Sequence, residues 1–508
     1  MQKNSLAANT IFLYVRIILM VLISFYTSRV VLDVLGAEDF GIYGLVYSIV
    51  ALLSFFNTTL SNSIQRFLSV SLGNSDINVA QKIVSQSFVS VIVVSILILI
   101  LGSIFGEYVL SRYLNIPEKR LGAAITIYYI GLFSILITFV QIVFSAILIA
   151  RENMEFYAYI GLLDIVLKLL LVWGIQAIPR DHLVVYGVFM ALSSCIVLII
   201  QAVYCFKKYP EAKLLFLWDS KLFGDMMRFI GVNFYGTLAV AGFNQGIDII
   251  LNLYFGPILN ASKGIATQIK GAVTRFSDGI ISVTSPRVIR SYAQGDRSYM
   301  LSLMMRSSKF SFFVLFALSL PLLFQTEYVV SVWLKSVPEY TILFARLILV
   351  GSLFDSLFPP LWNIAVATGK IRNIQIYGRS FSLLSLGIIA LLMKFYPFPW
   401  LPLTMAIVTN IAYWLYNLVD IHRQVGLEYR VYIRFVLIPI FSVVVPSLVI
   451  AYILTTYSAF EGLGQVLFSF ILMEIFCFVF IWLGGSTLEE REMVKRFFRN
   501  KINGRSDN

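Results

Sequence analysis

Lys263, Lys270 and Arg275 lie in one otherwise apolar stretch, and cations at that spacing could receive an anion. Seven residues is close to two helical turns, so a helix here would carry Lys263 and Lys270 on one face, with Arg275 about 120° round. A lone charge near the bilayer centre costs about 2.5–3.5 kcal/mol on insertion scales, so such side chains normally face protein or a watery cavity. Three on one span mark a place where something negative sits. Asp278, three residues beyond Arg275, could instead neutralise that guanidinium.

Other polar positions also fall into stripes when read at helical spacing. Tyr43, Tyr47, Ser54, Asn57, Ser61 and Gln65 share a narrow face, as do Asn233, Thr237, Asn244 and Asp248. Asn9, Arg16 and Thr27 lie near one line. Ser, Thr, Asn and Gln also join membrane helices through modest hydrogen bonds, which competes with a ligand-facing role at each of these positions. The charged Arg16, Lys263 and Lys270 are harder to explain in that way. Asp164 and Lys168 stand four residues apart and read first as an internal ion pair, with an ion-coupling relay as the alternative. Asp355 and Glu474 are acids in apolar stretches to which the sequence assigns no partner. His182 and His422 have no companions at metal-ligand spacing, and Cys195, Cys205 and Cys477 support neither a disulfide framework nor a metal cluster.

The elements that position these residues must be membrane helices. The 508 residues are 59% hydrophobic and only 13% charged, and the mean hydropathy is +0.85, which excludes an ordinary globular composition. A crossing helix needs about 20 mostly apolar residues, and about fourteen such stretches recur along the chain. Their long uninterrupted runs exclude the shorter in-out alternation of a membrane barrel. The net charge of +12 is concentrated in alternate loops and at both termini. That is the positive-inside pattern, so both termini are expected to be cytoplasmic and no nucleic-acid partner is expected. The first apolar run continues as a full-length span without a small-residue cleavage site, so no cleavable leader is expected. The basic C-terminal tail is expected to be solvated, with contact to anionic lipid as the alternative. No GxxxxGK[ST] loop is present, and no cofactor is expected. Transport would then depend on an H+ or Na+ gradient, the membrane potential or downstream consumption.

A shift of 220 positions superimposes Gly36, Gly44, Ile49, Phe56, Ser71 and Asp76 on Gly256, Gly264, Ile269, Phe276, Ser291 and Asp296. It also places span two on span eight in the same orientation. Parallel repeats of this kind are related by an axis along the membrane normal and suit alternating access. The expected organisation is an all-α integral membrane protein of about fourteen helices. Residues 1–208 form an N-lobe of six, 209–227 a cytoplasmic linker and 228–424 a C-lobe of six; two further helices occupy 425–486 and a basic tail 487–508.

The segment Leu35-Gly36-Ala37-Glu38-Asp39-Phe40-Gly41-Ile42-Tyr43, after a basic-aromatic first helix, resembles the first outer-loop motif of bacterial polysaccharide flippases. These are MATE-like members of the multidrug/oligosaccharidyl-lipid/polysaccharide (MOP) exporter superfamily. The resemblance implies two six-helix lobes whose helices one, two, seven and eight line a central cleft in the bacterial inner membrane. It implies that Arg16, Lys263, Lys270 and Arg275 meet the pyrophosphate and acidic sugars of a polyprenyl-linked glycan. Asn57, Gln65, Asn233 and Asn244 would bond sugar hydroxyls, with Asp248 also facing the cleft. Expected partners are that glycan and membrane lipid, with a glycan polymerase and glycosyltransferases as further candidates. A lipid II flippase and a drug or cation exporter are alternatives within the superfamily. The excess of cleft bases over acids disfavours the exporter. A polyprenyl-dependent glycosyltransferase using Glu38 and Asp39 is the alternative from another class; the chain shows no long outer loop to hold an acceptor.

Overall fold

A computed structural model describes residues 6–53, 56–73, 76–151, 153–213, 219–456, 462–492 and 495. All regular structure among the described residues is helical, and eleven helices are long and apolar enough to cross a membrane. The difference from the fourteen stretches read in the sequence has local causes. The first stretch and most of the second merge into α1 (Leu6–Leu53), which is bent at Gly36. The eighth and twelfth fold as α8 (Pro257–Ala293) and α14 (Leu401–Val425), which are not among the eleven; α8 carries Lys263, Lys270, Arg275 and Asp278, and the apolar run of α14 is interrupted by Thr404, Thr409, Asn410 and Asn417.

The chain forms two compact units. The first draws on Met1–Ile265, Trp333–Thr341 and Gln375–Pro402. It contains α1, α2 (Phe56–Gly73), α3 (Ile77–Arg112), α4 (Glu118–Ala150), α5 (Met154–Gly174), α6 (His182–Lys208) and α7 (Ser220–Phe255). Helix α4 is its centre, packing on α1, α2, α3, α5 and α6. Ile42, Leu45, Ile64, Leu68, Ile127, Tyr128, Phe139 and Ile147 are fully buried there. Close approach of α3 to α4 depends on Gly102 and Gly106, one turn apart: a Cβ on Gly106 would stand 2.1 Å from the Tyr128 hydroxyl, which donates 3.0 Å to the Gly102 carbonyl. Small residues at this spacing let membrane helices pack by van der Waals contact, since lipid supplies no hydrophobic drive between them. The opposite stripe of α3 (Leu97, Ile100, Leu101, Ile104 and Phe105) is exposed, and a hydrocarbon surrounding accounts for that.

The 220-residue echo has structural counterparts. Gly36 and Gly256 both bend the chain at positive φ, 75° and 78°, a region open to glycine and costly for side-chain-bearing residues. The Asp76 and Asp296 amides each donate 3.0 Å to the carbonyls of Ser71 and Ser291, and each carboxylate then caps the next helix, accepting from Val79 and Tyr299. The bends also meet: a Cβ on Gly41 would lie 1.8 Å from the Pro257 carbonyl oxygen.

The second unit draws on Ala266–Val332, Ile342–Ile374 and Leu403–Asn508. Its central helix is α9 (Arg297–Phe324). After it come α10 (Thr326–Trp333), α11 (Thr341–Asp355), α12 (Phe358–Thr368) and, outside this unit, α13 (Arg379–Phe395), then α14. A short α15 (Tyr429–Tyr432) leads through a wider turn into α16 (Ile438–Thr456), and α17 (Gly462–Phe480) ends the series. Helix α9 packs on α12, α16 and α17. Beyond α17, Thr487 and Glu490 form a capping box: Glu490 accepts from the Thr487 amide at 2.8 Å, and its own amide donates 3.3 Å to the Thr487 hydroxyl. The same Glu490 carboxylate receives Lys309 of α9 at 2.6 Å, with only 2% and 7% of the two side chains exposed.

Candidate functional site

Lys263 lies one helical stretch beyond the Gly256 bend, where the first turns of α8 meet the last turns of α7. Its ammonium stands 2.8 Å from an Asp248 carboxylate oxygen and donates 3.0 Å to the Asn244 carbonyl. The Asn260 amide holds the Asp248 carbonyl at 2.8 Å, and the Lys263 and Asp248 side chains are only 12% and 18% exposed. Asp248, read in the sequence as part of a polar stripe, is therefore the counter-charge of Lys263. Asn244 itself is exposed.

Lys270 pairs with Asp355 at 2.8 Å. Asp355 ends α11 where the tenth hydrophobic stretch breaks before the prolines that open α12. About a third of each side chain or more is exposed, 34% and 41%, so an incoming anion could replace the carboxylate without first opening a core. Arg275 is exposed and forms no ion pair among the described residues; Asp278, also exposed, does not neutralise it. The three cations of α8 thus differ: one locked, one exchangeable and one open.

Of the remaining sequence candidates, the side chains of Arg16 and Asn233 lie outside the described residues. Asn57 and Gln65 are half-buried on α2, and the Asn57 side-chain carbonyl is shielded from solvent with no hydrogen-bond partner among the described residues. A buried acceptor left open in this way is costly and suits a polar ligand group or a water. Tyr43 packs on Tyr47 and Tyr186 at centroid distances of 4.3 and 4.6 Å, a helix-joining role. The Thr27 hydroxyl bonds its own helix at the Ile23 carbonyl. Lys168 donates 2.7 Å to Asp164, which also accepts from Ser193 at 2.9 Å, so the fifth and sixth helices share a satisfied polar network.

Asp39 is gripped by the Arg120 guanidinium through two bonds of 2.7 and 2.6 Å, and Arg120 reaches Asp181 with its other edge at 2.7 and 2.9 Å. Asp39, read in the sequence as an outer-loop acid, is thereby a structural tie. No group of His, Cys, Asp and Glu able to hold a metal occurs among the described residues.

Sequence reasoning missed the partner of Lys270, since Asp355 is 85 residues away. It also passed over Arg29 and Asp33. Their signal was present as Tyr26, Arg29, Val30 and Asp33 on one helical stripe.

Residues 13–173 match the MatE family model. No curated protein matches the chain. Among solved structures it is similar to the lipid II flippase MurJ in an inward closed conformation, with a TM-score of 0.68 at 14% identity over 91% of this chain and 99% of that one. It is also similar to an inward-facing multidrug resistance MATE family transporter of the MOP superfamily, with a TM-score of 0.65 at 12% identity over 80% and 94% of the two chains. A third similar structure is a MOP superfamily transporter from Pyrococcus furiosus, whose reversed binding-pocket polarity suggests a different function for it; here the TM-score is 0.59 at 13% identity, over 81% and 95%. At such identities the likeness speaks for the fold. The chain is a multi-pass membrane protein with the fold of MATE transporters and the MurJ flippase, and its residues 13–173 match the MatE family model.

Proposed function

We propose that the protein is a flippase that carries a polyprenyl-pyrophosphate-linked oligosaccharide from the cytoplasmic to the outer leaflet of the inner membrane, for surface polysaccharide synthesis. The observation that carries this reading is the graded set of cations on α8, in which Lys270 is held by a partly exposed carboxylate and Arg275 is open. A diphosphate headgroup cannot cross hydrocarbon unaided, because burying unpaired charge is costly. Phosphate oxygens arriving at Lys270 would displace Asp355, and Arg275 would add charge-assisted donors. Asp355 would take Lys270 back once the headgroup leaves, so Lys270 itself is not left unpaired in the empty carrier. The open carbonyl of Asn57 supplies an acceptor for a sugar hydroxyl. The fold match to a lipid II flippase covers 91% of this chain, against 80% for an inward-facing MATE transporter, which supports a carrier that uses the helices after α14.

The reading places both termini in the cytoplasm and gives Asp164 and Lys168 as the candidate coupling pair for H+ or Na+. It is tested by measuring outer-leaflet exposure of polyprenyl-pyrophosphate oligosaccharide in cells with and without the protein. Depletion should trap the lipid-linked glycan on the cytoplasmic side while its synthesis continues. Unchanged exposure refutes the flippase. A glycan that crosses but no longer lengthens would indicate a glycosyltransferase instead.

A further inference from the structure

A cavity of about 590 Å³ opens beside the end of α1 that leads into the Gly36 bend, wholly within the first unit. It is lined by Tyr26, Arg29, Val30 and Asp33 of α1, Trp173 at the end of α5, and Lys335 from the segment after α10. We propose that it is a second ligand site, separate from the α8 cations, which binds a pyranose carrying a negative charge.

Three observations converge on that chemistry. The two aromatic rings stand edge to face, centroids 6.3 Å apart at 73°, and are 46% and 56% exposed. Such rings present flat apolar faces to the C–H face of a sugar, and their negative π-clouds favour the positively polarised C–H edges. The charged lining comprises two cations and one acid, and guanidinium and ammonium donors suit a carboxylate or phosphate on the sugar. The wall is also held in place. Trp333 donates 2.8 Å from its indole to the Phe25 carbonyl and packs on the Phe25 ring at 4.6 Å, and Lys335 reaches Asp33 at 2.5 Å. Ser262 fixes the far end of the segment through the Glu339 carbonyl.

A stabilising salt bridge explains this poorly. Lys335 is 61% exposed, and ion pairs so exposed contribute little to stability. Charges at 29 and 33 of a spanning helix need water or protein around them, which a hydrated sugar cavity supplies. The volume lies within the roughly 300–1,000 Å³ of small-ligand sites. That this sugar belongs to the transported glycan rests on the flippase reading; the affinity for a free acidic sugar does not.

The test uses the full chain in phosphatidylcholine nanodiscs and titration calorimetry with methyl β-D-glucuronide, against methyl β-D-glucoside. The glucuronide should bind at least tenfold more tightly, and Trp173→Ala and Lys335→Ala should each weaken it tenfold or more without changing the thermal midpoint. Lys335→Ala is a loop substitution that keeps the test valid if Trp173→Ala fails to fold. Binding should persist in phosphatidylglycerol nanodiscs; its abolition there would assign the cavity to lipid headgroups and overturn the proposal. Absence of glucuronide binding, or binding unchanged in both variants, also overturns it. If leaflet exposure of the native glycan still depends on the protein in that case, the flippase reading stands alone. If glucuronide binds but exposure is independent of the protein, the site stands and the flippase reading falls.

Discussion

Removing the Glu490 carboxylate should damage this protein more than removing the Lys309 ammonium it binds. At 2.6 Å and an effective dielectric near 20, the attraction within the pair is roughly 6 kcal/mol. Desolvating the two ions costs several kcal/mol each, so the intact pair contributes little net stability, whereas stranding one buried ion costs about 3–5 kcal/mol. The two ions differ in what they fall back on. Without Lys309, Glu490 keeps the Thr487 amide at 2.8 Å and Arg306 at 3.7 Å. Without Glu490, the ammonium, 2% exposed, is left with the face of Phe310 at 5.2 Å, worth about 1–2 kcal/mol. Glu490→Ala should therefore lose about 3–5 kcal/mol and Lys309→Met clearly less, and Lys309→Met with Glu490→Gln should recover most of the loss. The assay is thermal unfolding in detergent of the two single variants and the double. A Glu490→Ala midpoint equal to wild type, or a double variant as damaged as Glu490→Ala, refutes the argument, since the cost would then not be that of a stranded charge.

Lys270→Ala should lower leaflet exposure of the lipid-linked glycan at least tenfold, or about 1.4 kcal/mol, at unchanged membrane abundance, and Arg275→Ala should act likewise; full activity in both removes α8 from the site. Gly41→Ala forces a methyl to within 1.8 Å of the Pro257 carbonyl and should cost about 1–3 kcal/mol, whereas Gly44→Ala meets nothing within 4 Å; equal abundance of the two variants would contradict the close approach. The Arg120 guanidinium bonds Asp181 and holds its carboxyl below the ordinary carboxylate range. The stabilisation from that carboxylate is then fully present above about pH 4 and lost as pH falls through the depressed value. Asp181→Asn should flatten the acid limb of the midpoint-against-pH curve, and an unaltered limb would discard the linkage.

The membrane class, the 220-residue echo and the chemical peculiarity of α8 were legible in the chain because each is a one-dimensional quantity: a run length, a spacing, a composition. Gly36 and Gly256 appeared only as two identities in the shifted alignment, yet both turn out to supply the same positive-φ bend. The pair Asp164 and Lys168 could be read because its partners are one turn apart on the same helix. The excess of bases over acids read into the candidate cleft was partly a consequence of not knowing where the acids go.

Which acid meets which base was decided by tertiary packing alone. Lys263 takes Asp248 because the Gly256 bend brings the first turns of α8 to the last turns of α7, and Lys270 takes Asp355 because α11 ends beside it. Lys309 and Glu490, 181 residues apart, meet only when the segment after α17 docks on α9. Composition fixes the environment each charge must survive in, so the sequence by itself determined that these cations would need partners. A charge-assisted hydrogen bond needs its partner within about 3 Å, so only the packed helices could determine which partner each one found.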